Sequence, residues 1–322
     1  MTSPPLARDA FEVELRTILA ERYHDLHPFN LRMHEGSLGP QAIRTWVRNR
    51  YYYQTRIPIK DGIILSKSPD ADFRRQWIQR IQDHDGSKAG QGGLALWLAL
   101  AVAVGLDRKE VETLGHILPG VRSACDDYVD FVASHDLLES VAASLTELAA
   151  SKIMPVRIAA FEAHYEWVDP EGLAYFRSRC VQAPRDAEQG MAFVLDHATE
   201  SADQERCLAA LNRKCEILWS LLDSVEVACD CPRLVSHAML REAGPRSSAV
   251  VVLPERAVEL EGSGPEVLAL CEGARTGVEI AAAMGERHPG SESVEDDTHH
   301  FLESMTQLGV LELLPKAAAA TP

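Results

Sequence analysis

No apolar run in this chain approaches the length needed to cross a bilayer, so a membrane-spanning protein is not expected. The first residues, Met1-Thr2-Ser3-Pro4-Pro5, lack the basic and apolar stretches of a signal peptide. Seven cysteines, an odd number without framework spacing, offer no disulfide scaffold, and the expected setting is the cytoplasm with reduced thiols. Basic residues are also scarce. Against 48 Asp and Glu stand 32 Lys and Arg, and the resulting charge of −16 works against nucleic-acid binding, which depends on clustered cations meeting phosphates. Any anionic ligand therefore needs a local cationic pocket. Strand signals are few before residue 230.

What is present is a helical text with readable punctuation. Ser68-Pro69-Asp70 and Asp169-Pro170-Glu171 each place a capping side chain, a first-turn proline and an acid in order. Gly39-Pro40 opens a helix expected to run to Ile57-Pro58, and Ser201 with Gln204 has capping-box spacing for a segment ending near Val227. From Cys231 to Pro245 periodicity fails and Pro, Gly and Ser accumulate, which predicts a linker. Beyond it, the Ser248–Leu253 run and the alternating Val258–Glu261 segment predict strands. Three short helices should follow, one capped by Thr276 and Glu279, then a final strand after Gly309. At 322 residues one large and one small domain are expected: 1–230, a linker over 231–245, a winged-helix-like α+β domain over 246–316, and a tail over 317–322. From Arg241 onward 6 Lys and Arg face 14 Asp and Glu, so this short segment carries half the net charge.

Several helices carry a cation inside their apolar stripe. Ile43, Trp46, Arg50, Tyr53 and Ile57 share one face, as do Phe73, Trp77, Arg80 and His84, and Cys207, Leu211, Lys214, Leu218 and Leu221. Lys60 follows Pro58. A buried cation needs an anion, supplied either by one of the carboxylates or by a ligand. Arg50 with Gln54, Arg80 with His84, and Arg179 with Tyr175 stand one turn apart, and neutral hydrogen-bonding groups beside cations suit a flat, multiply anionic ligand such as a small polycarboxylate.

Metal ligation is not expected. The inward Glu-x-x-His of helical di-iron sites is missing, Glu162 and His164 face different ways, and Asp83-His84-Asp85 spreads over three faces. His24-x-x-His27, whose Pro28 should stop a helix, and Cys229-x-Cys231 lack zinc-site spacing, while His299-His300 is expected in solvent. Gly90-Gln91-Gly92-Gly93 follows no strand and precedes no Lys-Ser/Thr, so it reads as a loop that lets two helices approach rather than a phosphate cradle.

These residues resemble the pyrroloquinoline-quinone synthase family. The match runs through Tyr23-His24-x-x-His27-Pro28, Arg50-x-Tyr52-Tyr53-Gln54, Ile57-Pro58-x-Lys60-Asp61, Arg80-Ile81-x-Asp83-His84-Asp85-Gly86, Ser144-Leu145-Thr146-Glu147 and Tyr175-Phe176-x-x-Arg179, from about Phe11 to Ala228. The tail resembles the same pathway's small D protein, through Val250–Leu253, Leu270-Cys271-Glu272-Gly273 before Thr276, and the closing Gly309-Val310. The resemblance implies an all-α, heme-oxygenase-like (TENA-type) bundle followed by a peptide-binding domain, and an oxidase that closes and oxidises a bicyclic precursor with O2, releasing hydrogen peroxide without metal or organic cofactor. It further implies His84, Tyr175 and Arg179 as the catalytic set, and Tyr23, His24, Arg50, Gln54, Lys60, Arg80, Tyr128, Arg157 and Lys214 as the substrate-binding set.

As partners it implies the quinone precursor and product, a precursor peptide and radical enzyme on the C-terminal domain, and a second copy of the chain. The peptide is expected to add to a strand edge at Val250–Leu253. One departure is Met154, where many members have histidine; it leaves that wall without a proton carrier. The competing readings are a TENA-type hydrolase, which needs a placed thiol; a di-iron oxidase, which needs metal ligands; and a non-catalytic peptide scaffold, which the cation set argues against.

Overall fold

The computed structural model describes residues 4–241 and 249–316. They form two compact units, Met1–Ile117 with Val121–Leu222, and Leu118–Gly120 with Asp223–Pro322.

The helices in chain order are α1 (Arg8–Arg22), α2 (Pro28–His34), α3 (Pro40–Lys67), α4 (Ala71–Asp85), α5 (Gly92–Ala103), α6 (Arg108–Glu112), α7 (Pro119–Ser134), α8 (Leu137–Ala143), α9 (Glu147–His164), α10 (Ala174–His197) and α11 (Ser201–Cys229). Local signals account for most starts. Asp169 caps the single turn that leads into α10, as predicted. At α4 the cap is Asp70, whose carboxylate accepts from the amides of Asp72 and Phe73, whereas Ser68 closes α3 instead. Pro28 opens α2 rather than stopping a helix, with His27 as its cap. Gln204 makes no capping box. Its amide bonds Leu6 and Ala198, tying down the start of the chain.

The larger departure is α3, which continues through Pro58 to Lys67, while Pro155 and Pro184 sit inside α9 and α10. Packing of the long apolar faces outweighs the lost bond and ring clash of an interior proline. The core under the site is aromatic: Trp97 packs edge-on against Trp46 at 5.5 Å and Tyr175 at 4.8 Å, and its ring N–H donates to Val47 O at 2.9 Å. The Gly90–Gly93 loop brings backbones together as expected. Gly92 has φ +82°, and a Cβ there would lie 2.4 Å from Gly86 N.

In the second unit β1 (Cys231–Leu234) pairs antiparallel with β5 (Leu311–Leu314), and β2 (Met239–Arg241), β3 (Ala249–Val252) and β4 (Ala257–Leu260) form a sheet in that order. The expected linker therefore holds two strands over part of its length. Residues 242–248, which contain the rest of it and the predicted strand start at Ser248, lie outside the described residues, as does the tail from 317. Val251 sits opposite Leu240 on one side and Val258 on the other, so β3 is the central strand. The edge expected at Val250–Leu253 is consequently occupied, and among the described residues the sheet's outer strands are β2 and β4.

Helices α12 (Gly264–Leu270), α13 (Gly277–Arg287) and α14 (Val294–Gln307) complete this unit. Thr276 and Glu279 form the predicted capping box, and Gly309, at φ +66°, turns the chain from α14 into β5. His299 is buried rather than solvated. It stands beside Thr298 on the inward face of α14 with Val294 and Leu302, and burial holds its imidazole down at about 4.

Candidate active site

In the first unit, α3, α4, α9 and α10, with the turn after α1, surround a partly open cavity whose empty space, including the part open to solvent, is about 500 Å3. Tyr23, Arg50, Gln54, His84, Arg157, Tyr175 and Arg179 line it. His24, Lys60, Arg80, Tyr128 and Lys214 do not line it, yet every one is buried. Tyr53, a wall residue absent from the predicted set, joins the two groups: Arg50 stacks on its ring at 4.0 Å and the Lys214 ammonium lies 4.5 Å from the same ring. Lys214 also sits 3.4 Å from the Tyr128 ring.

The cations fall into two electrostatic classes. Arg179 is neutralised twice, by Glu147 and by Asp186, the latter at 3.4 Å. Burial alone would raise the Glu147 carboxyl, but Arg179 first, then Arg80 and Lys60, hold it well below the usual carboxylate range. Asp186 also takes Arg185 on its other oxygen and receives Arg80 on its backbone carbonyl, and Arg185 goes on to Asp83. Lys60 pairs with Asp61 at 2.7 Å. Burial opposes its charge, yet Asp61 prevails and lifts the ammonium above the ordinary lysine range.

Arg50, Arg157 and Lys214 have no such partner. Among the described residues no carboxylate is within ion-pair distance of any of them. Among the described residues Lys214 Nζ has no hydrogen-bond partner, and burial, with Arg50 and Lys60 nearby, keeps its pKa well below that of an ordinary lysine. Burial and Arg50 bring Arg157 down to about 10. His24 is likewise held well below the histidine range, by burial first and then by Arg50, Arg157 and Lys214. Such a cluster carries a desolvation cost that an anionic ligand would offset.

The neutral groups are arranged around the compensated side. Tyr175 donates to Gln54 Oε1 at 2.8 Å, so Gln54 serves Tyr175 across the cavity rather than Arg50 on its own helix. His84 Nδ1 lies 3.0 Å from Arg80 O. A carbonyl only accepts, so Nδ1 carries the proton and Nε2 keeps a lone pair. Burial, then Arg179, lowers the His84 pKa, favouring that neutral imidazole. Burial raises the Tyr175 phenol, which stays protonated as a donor. Met154 lines the same cavity, as an apolar wall.

Residue patterns alone did not single out Glu147, Asp186, Asp61 or Asn30. Glu147 lies in the Ser144-Leu145-Thr146-Glu147 motif, which assigns it no role, and Asn30 carries no local signal. Asn30 is fully buried and links His24 to Arg157. No cysteine lines the cavity, and the neighbouring Cys125 thiol is pushed up to about 12 by burial, which leaves a thiol hydrolase without its nucleophile.

A family model described as TENA/THI-4/PQQC matches residues 12–224, and one described as coenzyme PQQ synthesis protein D matches residues 248–311. The bifunctional coenzyme PQQ synthesis protein C/D of Methylorubrum extorquens is 35% identical over 95% of this chain and 95% of its own. The pyrroloquinoline-quinone synthase of Rhizobium meliloti is 48% identical over 70% of this chain and 88% of its own, and that of Gluconobacter oxydans 44% identical over 69% and 93%. Among solved structures, a TenA homolog from Pseudomonas syringae pv. tomato aligns with a TM-score of 0.56 at 14% identity, covering 69% of this chain and 96% of that one. That likeness bears out the helical fold expected for the first unit and extends no further.

Proposed function

Since the chain belongs to the TENA/THI-4/PQQC family and ends in a segment matching the D protein of the same pathway, we propose that it is a pyrroloquinoline-quinone synthase carrying its own peptide-binding unit. The observation that supports this reading best is the set of cations Arg50, half-buried, and Arg157 and Lys214, both buried, which among the described residues stand without anions at a cavity that also presents His84, Tyr175 and Gln54. A bicyclic precursor with several carboxylates supplies the missing charge. Its electron-rich ring surrenders electrons directly: in each oxidation step two electrons and two protons pass from the ring to one O2, giving hydrogen peroxide.

The chain's own residues bind, orient and move protons. Arg50, Arg157 and Lys214 take the anionic edge, with Lys60, Arg80, Tyr23, His24 and Tyr128 around it. On the compensated side His84 Nε2 accepts a proton from the precursor ring. The Tyr175 hydroxyl and the Arg179 guanidinium stabilise the reduced oxygen species. No metal or organic cofactor enters the proposed reaction, and Met154 keeps the oxygen side dry.

In the second unit, the precursor peptide adds as a strand to the outer edge of β2 or β4, because β3 is already paired on both sides. There it meets the pathway's radical enzyme. No helix among the described residues is long and apolar enough to cross a membrane. A cytoplasmic homodimer is part of the same proposal, and a solution mass twice that of the chain tests the latter.

The decisive experiment follows oxygen uptake and quinone formation by the purified chain. Uptake should begin only when precursor is added and should persist after chelation. Iron, copper or zinc near one atom per chain, with activity lost to chelators, would sink the reading. In the same assay His84→Asn, planar but unable to titrate near neutral pH, should bind precursor and turn over at least about a hundredfold more slowly. Near-normal turnover would move the proton-transfer role to Tyr175.

A further inference from the structure

Asn30, on α2, makes three hydrogen bonds whose directions are fixed by chemistry. Arg157 Nη2 approaches its Oδ1 at 3.0 Å, and a guanidinium can only donate, so that atom is the amide oxygen. On the other side Asn30 Nδ2 lies 2.6 Å from His24 O, which can only accept. Both contacts orient the amide the same way. Its second N–H then points to His24 Nδ1 at 2.7 Å, which must accept, so the imidazole proton resides on Nε2.

His24 Nε2 is buried and has no partner among the described residues, and neither has Arg157 Nε. One amide thus holds two cavity-region side chains so that each keeps one N–H donor unused. We infer that Asn30 is a positioning residue that locks His24 in the Nε2–H tautomer and Arg157 in place, so that both donate to an anionic oxygen of the bound ligand. Within the proposed function that oxygen belongs to a carboxylate or quinone carbonyl of the precursor, and this identification rests on that reading. The tautomer itself does not. Were Asn30 simply a packed polar residue, the tautomer of His24 would not depend on its amide. His84, whose Nδ1 faces a backbone carbonyl, carries its proton on the opposite nitrogen, so one imidazole is set as donor and the other as acceptor.

The test is nitrogen NMR on the full chain with 15N-labelled histidine, with the His24 signals assigned by their loss in His24→Gln. The unliganded protein should show the Nε2–H pattern for His24. Asn30→Asp is isosteric but replaces the amide donor with an acceptor, so the pattern should move to Nδ1–H or to the imidazolium. Pyrroloquinoline quinone should bind Asn30→Asp at least tenfold more weakly, because the new carboxylate occupies Arg157 and His24 in the ligand's stead. An Nδ1–H pattern in the native chain, or an unchanged one in Asn30→Asp, overturns the inference. If both patterns are as expected and the quinone fails to bind even the native chain, the proposed function falls while the assignment of Asn30 stands.

Discussion

An ammonium group buried without a counter-charge is tolerated in a protein only when something else gains from it. Lys214 is 1% exposed, faces two aromatic rings, and has no hydrogen-bond acceptor for its nitrogen. Cation–π contact offsets part of the cost, and the rest is met by shedding charge, as its depressed pKa indicates. Lys214→Met keeps the stem and removes the nitrogen. The unliganded variant should be more stable by about 1–4 kcal/mol, the gain seen when buried ionic groups are replaced by packed apolar ones. Its affinity for the quinone product should fall by at least about thirtyfold, the lower bound for deleting one side of a buried charge pair. Denaturant titration and ligand titration check the two halves separately. A variant that binds as tightly as the native chain would show that Lys214 is packing rather than recognition.

At the scale of elements, three of the helices that enclose the cavity each contain an interior proline. Every such proline deprives the carbonyl four residues earlier of its amide, and here those carbonyls belong to Gln54, Ser151 and Cys180. The prolines lie beside functional side chains: Pro58 between Gln54 and Lys60, Pro155 between Met154 and Arg157. Pro58→Ala should restore one bond and raise the unfolding free energy by about 1–3 kcal/mol, within the roughly 3 kcal/mol ascribed to an interior proline. Turnover should drop if the restored bond moves Lys60 and Asp61 relative to Arg50. Thermal melts alongside oxygen-uptake rates check this, and a variant both less stable and fully active would contradict it. The periodicity of α3 was legible, but the sequence rule that proline ends a helix gave its end ten residues early, because that rule has no access to the packing that carries the helix onward.

For the molecule as a whole, histidines withdrawn from solvent, three buried and His34 half-buried, govern the acid side. His24, His34, His84 and His299 all titrate below the ordinary histidine value of 6.5 once folded, chiefly through burial, with His34 and His299 down at about 4. A depressed value means that below 6.5 the unfolded chain binds more protons than the folded one. The stability contribution is therefore complete above pH 6.5 and is lost as the pH falls from 6.5 toward about 4. Glu303, whose carboxyl burial raises, acts in the opposite sense, as the pH falls through its raised value toward the usual carboxylate value of 4.5. Unfolding temperatures should consequently decline steadily from pH 7 to pH 5. A flat profile over that range would show that these imidazoles are hydrated rather than buried in solution.

Each of these scales had a part that could be read in advance. The cations that face inward were legible because helical spacing places them on apolar stripes, and the caps at Asp169 and Thr276 and the turn at Gly309 act within a few residues of themselves. What local spacing cannot carry is who neutralises whom. Arg179 meets Glu147 from 32 positions away, and Arg157 meets Asn30 from 127. Only the folded chain leaves Arg50, Arg157 and Lys214 unpaired, turns Gln54 toward Tyr175, puts β3 between two neighbours, and gives His24 and His84 opposite tautomers. The physical reason is range. Turn propensity and amphipathic period are properties of neighbouring residues, whereas charge compensation and hydrogen-bond direction in a buried site depend on groups that meet only after the helices have packed.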